Sequence, residues 1–135
     1  MDIIDLENKV RQWNLKGYIS KATALNKSKY HIAARKLLHE MFPTSQILEE
    51  VSIPLTSKET LYLDFYIPLL RKTIEVHGEQ HYKFIPFYHT TKLNFLKAKK
   101  RDSQKKEWCE QNTITYIELP FNEDIEQWKI RINEH

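Results

Sequence analysis

Hydrophobic residues alternate with polar ones through the middle of the chain. Leu61, Leu63, Phe65 and Ile67 recur at every second position, and so do Ile74 and Val76. A period of two predicts strands, and the short turn between the two runs makes them a hairpin. Their other faces carry Tyr62, Asp64 and Tyr66 on the first strand and Thr73, Glu75 and His77 on the second. With the turn centred between Leu69 and Leu70, Asp64 is expected directly across from Glu75. Two acids and a histidine then converge on one face.

Elsewhere the period is helical. Ile3, Leu6, Val10 and Trp13 predict an amphipathic helix from Ile3 to Leu15, closed by Gly17. A polar connector from Ser20 leads to Ser28, a plausible N-cap for a helix carrying Ile32, Leu37, Leu38 and Met41 that Pro43 stops. Glu49–Ile53 reads as a strand. Beyond Gly78, the aromatic and polar stretch to Thr91 lacks a period and reads as a loop ordered over a site. Thr91–Gln111 is a long helix with Phe95, Ala98, Asp102 and Cys109 on one inward stripe. Asn112 is the expected left-handed terminator, Ile114–Leu119 a strand, and Asp124–Ile132 a closing helix. The expected fold is α/β, a mixed sheet of about four strands flanked by helices in one domain. Residues 1–27 form an N-terminal helix and connector, 28–121 the core, and 122–135 a C-terminal helix packed on it.

Composition narrows the classes. An apolar fraction of 41% and a charged fraction of 29% are those of an ordinary globular domain. No apolar run reaches the roughly 20 residues of a membrane span, and MDIIDLENKV lacks the pattern of a signal peptide, so no membrane partner is expected. The lone Cys109 excludes an internal disulfide and a cysteine-built zinc site, which points to a reducing, cytoplasmic setting. The excess of basic residues is only three, 21 against 18. Lys92, Lys97, Lys99, Lys100, Arg101, Lys105 and Lys106 nevertheless crowd into the long helix. That run suits a nucleic-acid backbone, although an ordinary solvated helix face has the same pattern.

Apposed acids at Asp64 and Glu75 supply hard oxygen ligands for Mg²⁺ or Mn²⁺, and the Val76 carbonyl can supply a third. Such a site suffices for phosphodiester hydrolysis by a metal-activated water. His77 can orient or deprotonate that water. His81 can protonate the leaving oxygen, and Gln80 can position water or phosphate. Strand acids are more often solvent-facing, but acids placed opposite one another repel unless a cation or proton neutralises them. Taken singly, His77 and His81 read as structural histidines, and His31, His39 and His89 carry no spacing signal.

The stretches LDFYIPLLRKTIEVHGEQHY and KRDSQKKEWCEQNTITYIELPF resemble the core of the PD-(D/E)XK nuclease superfamily. The nearest branch is the very-short-patch-repair-like and phage homing-type endonucleases. The likeness covers roughly residues 28–121, and IEVHGEQHY is its most specific part. It implies a restriction-endonuclease-like core, a metal-dependent DNA endonuclease and action in a bacterial or phage-infected cell. Asp64 matches the metal-binding aspartate and Glu75 the acid of the E-x-K half-motif, with His77 at the position of the superfamily lysine. His81 matches the histidine after the glycine turn, Gln80 its neighbour, and Asp102 the helix aspartate that orients His81 or a metal-bound water. Lys97, Lys99, Lys100, Arg101, Lys105 and Lys106 are the expected DNA contacts. His31 departs from the pattern, standing where the branch places a first-helix glutamate. Either that ligand is missing, or Glu49 or Glu50 substitutes for it. The zinc cysteines of the mismatch-repair members are missing too, so no zinc is expected. A junction nuclease, or an inactive nucleic-acid-binding or assembly module, are the competing readings. Recognition of a long site by so short a chain would need a homodimer or a larger nucleoprotein assembly.

Overall fold

The N-terminal segment abandons its helical period for a local reason. Asp5 accepts the backbone N–H groups of Glu7 and Lys9 at 2.8 and 3.0 Å and pairs with the Arg11 guanidinium, while Asn8 takes φ 60°. An aspartate that satisfies nearby backbone donors competes with the helical ladder. In this computed structural model, which describes residues 1–134, the segment is an antiparallel ribbon of β1 (Asp2–Ile4) and β2 (Val10–Gln12), not the expected helix. Ile3 and Trp13 are buried, whereas Val10 faces solvent. Residue 135, the end of the expected C-terminal segment, lies outside the described residues.

The connector holds a second correction. Tyr18 and Ile19 form a short strand, β3, so the main sheet has five strands rather than about four. It runs β3, β4 (Leu48–Pro54), β5 (Thr60–Ile67), β6 (Lys72–His77), β7 (Thr115–Pro120). Among the described residues only the β6–β7 pair is parallel, which requires a crossover, here the long helix. Helix α1 (Lys29–Met41) starts on the expected cap, with Ser28 Oγ accepting the His31 N–H. Within the expected loop lie a 3₁₀ turn at Glu79–His81 and a one-turn helix, α2 (Pro86–His89), where buried His89 accepts the Ile85 N–H. The long helix, α3 (Lys92–Gln111), and α4 (Ile125–Asn133) follow as expected. The terminator differs. Asn112 has φ −102°, and Thr113 takes the left-handed turn at φ 56°. Asn112 is buried and bonds both the N–H and the carbonyl of Ile4, fastening the N-terminal ribbon to the end of α3.

Two apolar layers cover the sheet. One side packs Leu63, Tyr66, Val51 and Ile53 against Trp13 and Trp108, and the other packs Phe65, Ile67, Ile74 and Leu119 against α1 and α4. Leu63 and Phe65 therefore lie on opposite faces, contrary to a strict period of two. The alternation slips at Asp64, and on β4 it slips opposite, at Glu50, which has φ 53°. One residue in the left-handed region kinks a strand as a bulge does, and the kink frees Asp64 from either face.

Buried Glu49 anchors α1 to the sheet. Its carboxylate accepts from His31 at 2.7 Å, from Arg35 at 2.8 and 2.7 Å, and from Ser20 at 2.6 Å. Burial would raise its pKa, but the bonds from His31, Arg35 and Ser20 outweigh burial and hold it far below the ordinary carboxylate range. A depressed acid contributes stability that is present above the ordinary value and lost as pH falls. Glu49→Gln is expected to cost about 3–5 kcal/mol at neutral pH. Urea unfolding of both proteins should show that deficit shrinking as pH drops below 4.5, the ordinary glutamate value.

Candidate active site

The backbone ladder between β5 and β6 pairs Ile67 with Lys72, Tyr66 with Thr73 and Phe65 with Ile74. The next pair would be Asp64 with Glu75, the expected opposition. Here side chains take over from backbone. The Asp64 N–H donates to Glu75 Oε2 at 2.7 Å, and the Val76 N–H donates to Asp64 Oδ2 at 2.8 Å. Each acid thus binds backbone of the other strand, and the strands part beyond them.

Glu75 has no solvent exposure. Its Oε2 also accepts the Thr73 hydroxyl at 3.2 Å, and its Oε1 accepts Lys105 Nζ at 2.8 Å. Burial, then the charge of Asp64, pushes the carboxyl up to about 8 against the pull of Lys105. Lys105 is raised: burial works against its charge, but Glu75 and Asp64 outweigh it. Lys105 therefore turns inward, a correction to its reading as a solvent-facing DNA contact. It occupies the gap in the inward stripe between Asp102 and Cys109, a placement readable from the helical period. Lys97, Lys99, Lys100 and Arg101 remain exposed, and Lys99 Nζ lies 3.4 Å from the His81 carbonyl. Lys106 faces a separate groove along β7 with Arg131.

A cleft of about 370 Å³ opens where the strands part, lined by His31, Asp64, Val76, Gln80, His81 and Tyr88 among others. The turn at Gly78 brings Gln80 and His81 over it. A Cβ on Gly78 would come within 2.5 Å of the Gln80 amide oxygen, so a side chain there would displace Gln80. His81 Nδ1 meets Asp102 Oδ2 at 2.8 Å. Burial would raise Asp102, but the His81 hydrogen bond and the nearby His77 and Lys105 charges hold it below the ordinary value. An ionised carboxylate only accepts, so Nδ1 carries the proton and Nε2 is the free acceptor of the neutral ring.

His77 sits deeper. It lies 3.2 Å from Glu118 Oε1 and 3.3 Å from the Tyr116 hydroxyl, and it holds the Glu118 carboxyl down to about 2. Its ring stacks on His81 with centroids 4.2 Å apart and planes within 6° of parallel. His77, His81 and Asp102 have ligand atoms within 4.8 Å of one another. A metal lies in the plane of an imidazole that binds it, however, and stacked parallel rings point their lone pairs side by side. The trio is a histidine–aspartate pair backed by a second ring. Tyr116 and Glu118 went unread in the sequence, although they share the face of β7 opposite Ile117 and Leu119.

The hard-oxygen donors suit Mg²⁺ or Mn²⁺ in type. Asp64 Oδ1 takes no hydrogen bond among the described residues. Val76 donates toward β5, and an extended residue presents its carbonyl to the same side, which is the side of the cleft. Of the supporting residues, His31 lines the cleft but spends Nε2 on Glu49, and Glu50 pairs with Lys27. Neither Glu49 nor Glu50 lines this cleft.

No family model matches this chain, and no solved structure matches it. It is similar to three viral proteins. Uncharacterized protein 307L of Invertebrate iridescent virus 6 is 43% identical over 61 residues, 45% of this chain and 31% of that protein. Uncharacterized protein 033L of Invertebrate iridescent virus 3 is 32% identical over 68 residues, 50% of this chain and 34% of the relative. Uncharacterized protein 094L of Frog virus 3 is 35% identical over 68 residues, 49% of this chain and 44% of the relative. The chain thus spans about a third to under half the length of these relatives. No helix among the described residues is long and apolar enough to cross a membrane.

The reciprocal bonds at the strand junction make a direct prediction. Asp64→Asn keeps an acceptor for the Val76 N–H and should unfold in urea within about 1 kcal/mol of wild type. Asp64→Leu leaves that N–H unsatisfied and should cost about 1–3 kcal/mol.

Proposed function

We propose that the cleft is the active site of a Mg²⁺- or Mn²⁺-dependent endonuclease that hydrolyses phosphodiester bonds of DNA. One observation carries the reading: Asp64, Val76 and His81 line one cleft, with Glu75 and Asp102 hydrogen-bonded directly behind Asp64 and His81 and exposed lysines nearby. The resemblance of IEVHGEQHY to the very-short-patch-repair-like branch supports it. Asp64 and Glu75, with the Val76 carbonyl, would hold the cation. When bound, the cation neutralises phosphate charge and makes water more acidic. His81, its Nδ1 proton held by Asp102, presents Nε2 for proton transfer. His77 backs the His81 ring instead of acting on water itself, a change from its expected part. Gln80 is placed to hold a phosphate oxygen or water. Lys97, Lys99, Lys100 and Arg101 suit the DNA backbone.

A second reading, a nucleic-acid-binding or assembly module, is favoured by the engagement of Glu75 with Lys105 and of His31 with Glu49. Incubation of supercoiled and branched DNA, and of RNA, with Mg²⁺, Mn²⁺ or EDTA separates the two. Nicked or linear products that vanish with EDTA are expected. Asp64→Ala and His81→Ala should each lower the single-turnover rate by about 10²-fold or more. Preferential cleavage of branched DNA would identify a junction nuclease. Cleavage unchanged in both variants would sink the site assignment, and binding without cleavage would leave the module.

A further inference from the structure

Glu75 Oε1 has a single hydrogen-bond partner among the described residues, the Lys105 ammonium at 2.8 Å. The other oxygen is committed to the Asp64 N–H and the Thr73 hydroxyl. Lys105 is held just as sparingly. An ammonium has three donors, and Nζ uses one, on Glu75, although its side chain is only 16% exposed. Its place there depends on the charges of Glu75 and Asp64, which outweigh the cost of burial. Its single charge also stands against two neighbouring carboxylates, Asp64 and Glu75.

An alternative acceptor is close by. Asp102 lies three residues before Lys105 on α3, a spacing that brings the two side chains together on a helix. Asp102 Oδ2 serves His81, and its Oδ1 takes no hydrogen bond among the described residues. An i, i+3 pair on one helix face is within side-chain reach, and the charges of Asp102 and Lys105 already act on each other, so Asp102 offers the ammonium a second acceptor.

We infer that Lys105 is a resident counter-ion standing in the divalent-cation position, which the metal displaces from Glu75 onto Asp102. The inference rests on the reading of Asp64 and Glu75 as metal ligands. It makes Lys105 a positioning residue: it keeps the buried acid paired before the metal enters, and it sets the metal's affinity by competition. After displacement its charge sits beside the carboxylate that holds His81, so metal occupancy is coupled to the proton-transfer pair.

Calorimetric titration of Mn²⁺ into wild type, Lys105→Gln and Lys105→Arg, all in one buffer at one pH, tests the competition. Glutamine keeps a hydrogen bond to Glu75 without a charge and should tighten Mn²⁺ binding about tenfold. Arginine, which can engage the carboxylate through two N–H groups, should weaken binding by a similar factor. In wild type, the Lys105 Cε and Nζ resonances should shift on addition of diamagnetic Mg²⁺. Metal binding with no tightening in Lys105→Gln, or with unmoved Lys105 resonances at saturation, overturns the displacement and leaves the metal site standing. No Mn²⁺ binding by any of the three proteins overturns the metal site itself, and the displacement with it.

Discussion

A carboxylate with no access to water must be paired or neutral, because burying an isolated charge costs far more than any single contact returns. Glu75 meets that demand through three different elements. It takes the Asp64 N–H from β5, the Thr73 hydroxyl from its own strand and the Lys105 ammonium from α3. The crossover helix is thereby tied to the middle of the sheet at the place where the β5–β6 ladder ends. The cleft opens there, and Asp102 and His81 are brought to its rim by the same helix and by the turn after β6.

Two strands away, on β4, the sheet solves the same problem differently. Glu49 collects His31, Arg35 and Ser20 and is held strongly ionised, whereas Glu75 is pushed up by burial and by Asp64. The difference lies in the supply of positive partners. Glu49 has a full guanidinium and an imidazole, and it reads as structural. Glu75 has one ammonium, shared with a neighbouring acid, and it reads as a site poised for a further positive charge. Two buried glutamates in one sheet thus separate into an anchor and a proposed ligand by their surroundings alone.

Asp64 joins fold and proposed chemistry. The slip in alternation at Glu50 and Asp64 takes its side chain off both faces and into the gap between strands. There it replaces a ladder bond through Val76 and keeps one oxygen toward the cleft. The indoles of Trp13, Trp108 and Trp128 bond the carbonyls of Ser52, Pro54 and Pro120 near the strand ends.

Periodicity alone determined the order of the longer elements from α1 onward, the opposition of Asp64 and Glu75, and the inward face of Asp102, because each follows from spacing along one strand or helix. It failed at Ile3–Trp13, where the Asp5 side chain satisfied the backbone more cheaply than a helix could. It failed again at β3, whose two residues are too few to show a period. Lys105 stood in the inward stripe but was read with its charged neighbours, since a lysine turns inward only when a buried acid waits for it. Tertiary structure alone decided that Glu75 is sealed behind Lys105, that His77 backs His81, and that Glu49 belongs to the scaffold. Those outcomes depend on which charges meet across elements far apart in the chain, and no local spacing records that.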